Sequence, residues 1–174
     1  LFWAHYSCLG LNPNGLKARY ADYFNEMRNL TLISRDYSIR SPKGYKGYGA
    51  DSCGQTASYS VNGYAAHKPT ESEDRGVIAP TAALSSIVYT PEESMQVMRR
   101  LYSMGDTLMG PYGFYDAFSQ TESWYPQRYL AIDQGPIAVM IENYRTGLLW
   151  DLFMSHPDVQ NGLKKLGFES PELE

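Results

Sequence analysis

Apolar and aromatic residues recur at steps of three and four along the first part of the chain: Leu16, Tyr20, Tyr23, Phe24, Met27, Leu30 and Leu32. That spacing predicts an amphipathic helix over Leu16–Ile33. The turn residues Asn12-Pro13-Asn14-Gly15 lead into it. From Ser41 to Gly76 the period fails, and Pro42, Gly44, Gly47, Gly49, Gly54, Gly63 and Pro69 punctuate a stretch too long for an ordinary connection. Tyr45, Tyr48, Tyr59 and Tyr64 lie within it, and such a density of aromatics argues for an ordered, site-forming loop.

Helical signals then return. Pro80 suits a first helical position, with Thr81–Val88 following. Thr90-Pro91-Glu92-Glu93 predicts a helix from Pro91 to about Met104, with a threonine cap and Glu93 completing a capping box. Gly110–Phe118 has no helical period and reads as a short strand pair or an irregular loop. Ile137–Met154 is apolar on most faces and predicts a helix buried all round. Asp158–Leu166, between Pro157 and Gly167, predicts a short last helix. The pattern has no βαβ alternation and no repeat, so the expected class is all-α with long loops on one side.

Composition narrows the function classes. The 174 residues are 43% hydrophobic and 20% charged, which is globular rather than disordered. A net charge of −4 disfavours a nucleic-acid partner. No run supplies the apolar length of a membrane span, since Glu142, Arg145 and Asp151 interrupt the best one. Cys8 and Cys53 fit either one long-range disulfide or two free thiols. No Cys/His cluster with zinc spacing appears. The opening Leu1-Phe2-Trp3 reads as an element cut from something larger. The 15 tyrosines each offer a flat apolar face and a hydroxyl, which suits a sugar ring as well as a core.

Four groups of residues are chemical candidates. Asp116 sits among Phe114, Tyr115 and Phe118, where lost hydration raises a carboxyl pKa. A catalytic or sugar-binding acid and a turn-forming aspartate fit it equally. Asp133, just before the apolar helix, is either its cap or a carboxylate at the mouth of a central cavity. Glu142 and Arg145, three apart, form either a structural ion pair or a polar wall of that cavity. The loop residues Thr56 and Tyr64 are placed to shape sugar subsites, and Trp124 is a further candidate. No GxSxG elbow or phosphate loop is present. Two separated carboxyls are the minimum for glycoside hydrolysis, and on its own that minimum is unselective.

Several stretches together resemble a known family: Gly-Tyr-Lys-Gly-Tyr at 44–48, Thr-Ala-Ser at 56–58 and Gly-Val-Ile-Ala-Pro-Thr-Ala-Ala-Leu-Ser-Ser at 76–86. Tyr-Gly-Phe-Tyr-Asp-Ala-Phe at 112–118, Leu-Ala-Ile-Asp-Gln-Gly-Pro-Ile at 130–137 and Val-Met-Ile-Glu-Asn-Tyr-Arg-Thr-Gly-Leu-Leu-Trp at 139–150 complete the set. They resemble the glucoamylase-like domain of bacterial endo-β-1,2-glucanases and of cyclic β-1,2-glucan synthases. The resemblance implies an (α/α)6 toroid with the cleft at one end, of which residues 1–174 are the C-terminal half. It implies hydrolysis of a β-1,2-glucan polysaccharide or oligosaccharide without metal or organic cofactor, by a periplasmic or secreted enzyme.

Carried over position by position, Asp133 is the expected catalytic base. Asp116, Tyr115 and Glu142 line the cleft, Arg145 orients Glu142, and the general acid lies in a missing N-terminal half. The chain departs from the family at Cys53 and Tyr59, where the pattern has tryptophan and aspartate, and at Met109, where it often has tryptophan. Those losses keep two other readings open: a transglycosylase or hydrolase of another linkage, and a glucan-binding protein without catalysis.

Overall fold

A computed structural model describes residues 1–173. Among the described residues the protein is mostly helical with three two-stranded antiparallel hairpins; the one at 109–114 matches the strand pair expected there, and the other two correct the all-α expectation. The helices are α1 (Phe2–Ser7), α2 (Tyr23–Arg40), α3 (Pro80–Leu84), α4 (Pro91–Tyr102), α5 (Ala131–Thr146), α6 (Leu148–Met154) and α7 (Pro157–Lys165). The hairpins pair β1 (Lys17–Ala18) with β2 (Ala21–Asp22), β3 (Ser58–Ser60) with β4 (Gly63–Ala65), and β5 (Met109–Gly110) with β6 (Gly113–Phe114).

The first helix of the pattern is displaced toward the C-terminus. Lys17–Asp22 fold into a hairpin, and Asp22 caps α2 by accepting the Asn25 N–H at 3.1 Å. The face that α2 buries is Thr31, Ser34, Tyr37 and Ser38. Leu30 and Ile33 remain exposed. Hydrophobic periodicity missed this stripe because its contacts are polar: Ser34 Oγ donates to Gln55 Oε1 and Gln55 Nε2 donates to Ser38 Oγ, both at 2.8 Å.

The apolar segment expected as one buried helix is two. It starts at Ala131, breaks at Gly147 (φ 75°) and resumes as α6. The left-handed turn suits glycine, and Asn143 Oδ1 accepts the N–H groups of Leu149 and Trp150 at 3.0 and 3.2 Å. Burial is one-sided: Asp133, Pro136, Met140 and Asn143 face inward, while Tyr144, Leu148, Leu152 and Phe153 are exposed. Asp133 therefore lies inside the first turn of α5 and does not cap it. Nor does Thr90 cap α4: its hydroxyl turns back to Ser86 O, so the capping box does not form.

One core cluster gathers Ile78, Leu84, Val97, Leu101, Leu108, Phe114 and Phe118 where α3 and α4 meet the 103–118 segment. A second joins Cys8, Ile87, Tyr89 and Met140. Both cysteines are buried free thiols. No helix is long and apolar enough to cross a membrane among the described residues. The two long loops, 41–79 and 103–130, return to the N-terminal ends of α3 and α5. That shared end is where the candidate site forms.

Candidate active site

Segment 113–118 leaves β6, bends at Asp116 and is held by long-range backbone bonds. Asp116 N–H donates to Arg128 O at 2.8 Å, and Phe118 exchanges two 2.9 Å backbone bonds with Ile78. Tyr115 packs its ring 5.1 Å from that of Tyr129. Asp116 faces the first turn of α5, where Asp133 stands. The two carboxyls stand close enough for Asp116 to act on Asp133 electrostatically, and they are 1% and 2% exposed.

The pair's electrostatics follow from what surrounds it. Asp116 Oδ2 accepts the Tyr59 N–H at 2.8 Å. Asp116 Oδ1 and Asp133 Oδ2 are buried without a hydrogen-bond partner among the described residues. Burial, then the hydrogen bond to Asp116 and its negative charge, push the Asp133 carboxyl up to about 8. Two carboxylates this close cannot both ionise cheaply, so the pair holds one proton near neutrality.

Tyrosines cover the pair. Tyr64 is half exposed and crosses Tyr59 edge-on at 6.1 Å, its partner across the β3–β4 ladder. Burial raises its hydroxyl, and the charges of Asp133 and Asp116 add to that. Tyr6 Oη donates to Ile132 O at 2.6 Å and is raised for the same reasons, burial first and Asp133 next. Arg128 places its guanidinium 5.5 Å over the Tyr59 ring.

Of the sequence candidates, the structure brings Asp116, Asp133 and Tyr64 together. Thr56 is buried on the loop behind them, where its carbonyl accepts the His67 N–H at 3.3 Å. Trp124 packs on Val77, Ala79 and Ala117. Glu142 and Arg145 do pair, at 2.9 Å, on the open face of α5. Nine residues past Asp133, Glu142 is about 13 Å along the helix axis and half a turn round it, away from the dyad. Tyr59, Tyr6 and Arg128 were not among the candidates. The Tyr59 and Arg128 contacts to Asp116 run through the backbone, which leaves no mark in side-chain pattern. Neither Asp116 nor Asp133 lines any of the described cavities.

The glucoamylase family model, Glycoamylase, matches residues 1–157. The chain belongs to this family. It is 66% identical to the endo-β-1,2-glucanase of Chitinophaga pinensis, solved with sophorotriose and glucose, at a TM-score of 0.97 over 99% of this chain and 41% of that one. It is 46% identical to a β-1,2-glucanase of Parabacteroides distasonis, at a TM-score of 0.92 over 95% of this chain and 24% of that one. A curated relative, the exo-β-1,2-glucooligosaccharide sophorohydrolase of Parabacteroides distasonis, is 47% identical over 167 residues. The match takes in 95% of this family member but 23% of that relative. The chain thus spans well under half the length of the proteins it matches.

Proposed function

We propose that this chain is the C-terminal part of an (α/α)6 glycoside hydrolase that cleaves β-1,2-glucan, with the Asp116–Asp133 dyad as its base. The dyad itself carries the reading: a buried carboxyl pair with a raised Asp133 beside the exposed Tyr64, in a family with named relatives that act on β-1,2-linked glucose. The Asp116 charge acts directly on Asp133, so we do not place the two on opposite sides of a glycosidic bond as separate acid and base. They act as one unit, and a second carboxyl from outside these residues supplies the general acid.

In the singly charged dyad one proton bridges the carboxyls and the remaining charge is free to accept another. A water held there attacks the anomeric carbon while its proton passes to the dyad. The general acid protonates the departing oxygen, and the product anomer is inverted. We favour endo cleavage, in line with the 66% identical endo-acting relative. The reading includes a partner N-terminal half of the toroid. The exposed Trp3, Leu30 and Ile33 around a cavity of about 250 Å³ support an apolar contact surface for it. It also includes export from the cytoplasm, which fractionation of cells expressing the full-length protein tests.

The mechanism is tested by following fresh products of the full-length enzyme on linear β-1,2-glucan by NMR. Cleavage of the β-linkage with inversion gives α-anomers first. Initial β-anomers, or products longer than the substrate, would replace this mechanism with retention or transfer.

A further inference from the structure

Arg128 and Tyr59 form a platform that the dyad chemistry leaves unused. Both are fixed to Asp116 by backbone bonds on opposite sides: Tyr59 N–H donates to Asp116 Oδ2, and Asp116 N–H donates to Arg128 O, each at 2.8 Å. The guanidinium lies 5.5 Å above the Tyr59 ring. Tyr64 crosses that ring at 86° and is 51% exposed. The arrangement is an angled aromatic corner with a cation on one wall.

What marks it as a site is the unspent bonding capacity. The Arg128 side chain is exposed and makes no ion pair or hydrogen bond with another described residue. Stacking on Tyr59 holds a planar group with five N–H donors in place. An aromatic face receives the apolar C–H face of a pyranose, and fixed donors beside it receive the ring's hydroxyls.

We propose that Tyr59, Tyr64 and Arg128 form a glucosyl-binding wall directly beside the bond that is cut, with Arg128 and Tyr59 setting affinity for the sugar. The proposal rests on the Asp116–Asp133 dyad being the hydrolytic centre. Because the Asp116 contacts are backbone bonds, Tyr59→Ala and Arg128→Ala keep them while removing ring and cation. Residues that only position Asp116 through their side chains would alter the pH profile. Residues that grip sugar alter KM.

The test is steady-state kinetics of the full-length enzyme on linear β-1,2-glucan, with binding of the same glucan by calorimetry on an Asp133→Asn background. Tyr59→Ala and Arg128→Ala should each raise KM roughly 2- to 12-fold, the range of an aromatic contact. Affinity on the Asp133→Asn background should weaken in parallel, and the wild-type pH profile should persist. Tyr59→Phe should restore KM, and Arg128→Lys, lacking the planar fork, should not. Unchanged KM in both alanine variants, or a fall in kcat with a shifted pH profile, would overturn the proposal. If Asp133→Asn remains active while Tyr59→Ala still weakens binding, the hydrolytic assignment fails and the wall survives.

Discussion

Asp133→Asn should stabilise the protein, and by more as pH rises. In the unfolded chain this carboxyl loses its proton at its ordinary 3.8, whereas in the fold it keeps the proton to about 8. Between those values the native state binds the extra proton, so raising pH favours the unfolded chain. At about 1.36 kcal/mol per unit, the stability lost from pH 5 to pH 8 is roughly 3–4 kcal/mol. An asparagine does not titrate and can donate to Asp116 in place of the lost proton. His5 works in the opposite sense. It is buried, bonded to Ser86 Oγ at 2.9 Å, and desolvation, its largest cause, lowers it from 6.5 to about 3.

The His5 contribution is full above pH 6.5 and fades as pH falls toward 3, with about 2 kcal/mol already gone at pH 5. Wild-type stability should therefore decline only modestly from pH 5 to pH 8, while Asp133→Asn should rise over the same interval. Urea midpoints of both proteins at unit pH steps give the comparison, since His5 cancels in their difference. The gap in unfolding free energy should widen by roughly 3–4 kcal/mol. A gap constant to within about 1 kcal/mol would refute the shared-proton reasoning.

Two further predictions concern the scaffold that sets the dyad. Gln55→Leu leaves the Ser34 and Ser38 hydroxyls without their amide partner; thermal unfolding should report a loss of about 1–3 kcal/mol. Asn143→Ala removes the cap of α6 and the 3.0 Å bond to Leu9 O. It should cost about 1–2 kcal/mol by denaturant titration, with little change in kcat.

The two carboxylates were legible because each stands in a local setting that sequence records: Asp116 among aromatics, and Asp133 before an apolar helix. Their meeting was not, since it depends on a bent segment bonding to Ile78 and Arg128 at long range. Family resemblance supplied the functional proposal that spacing could not. Periodicity went astray where burial is polar, as at Ser34 and Ser38, and where a single glycine with its asparagine partner splits one apolar run into α5 and α6. Glu142 illustrates the converse: helical spacing correctly paired it with Arg145, yet the same spacing turns it away from Asp133.

The central claim is that the Asp116–Asp133 dyad cleaves β-1,2-glucan. Its most direct test is the initial rate of oligosaccharide release from linear β-1,2-glucan by the full-length enzyme and its Asp133→Asn variant. The account predicts a fall of about 10²–10⁴-fold, the scale of a lost general base, in a variant that is folded and still binds the glucan. Release within a few-fold of wild type would contradict it and place the chemistry elsewhere in the protein.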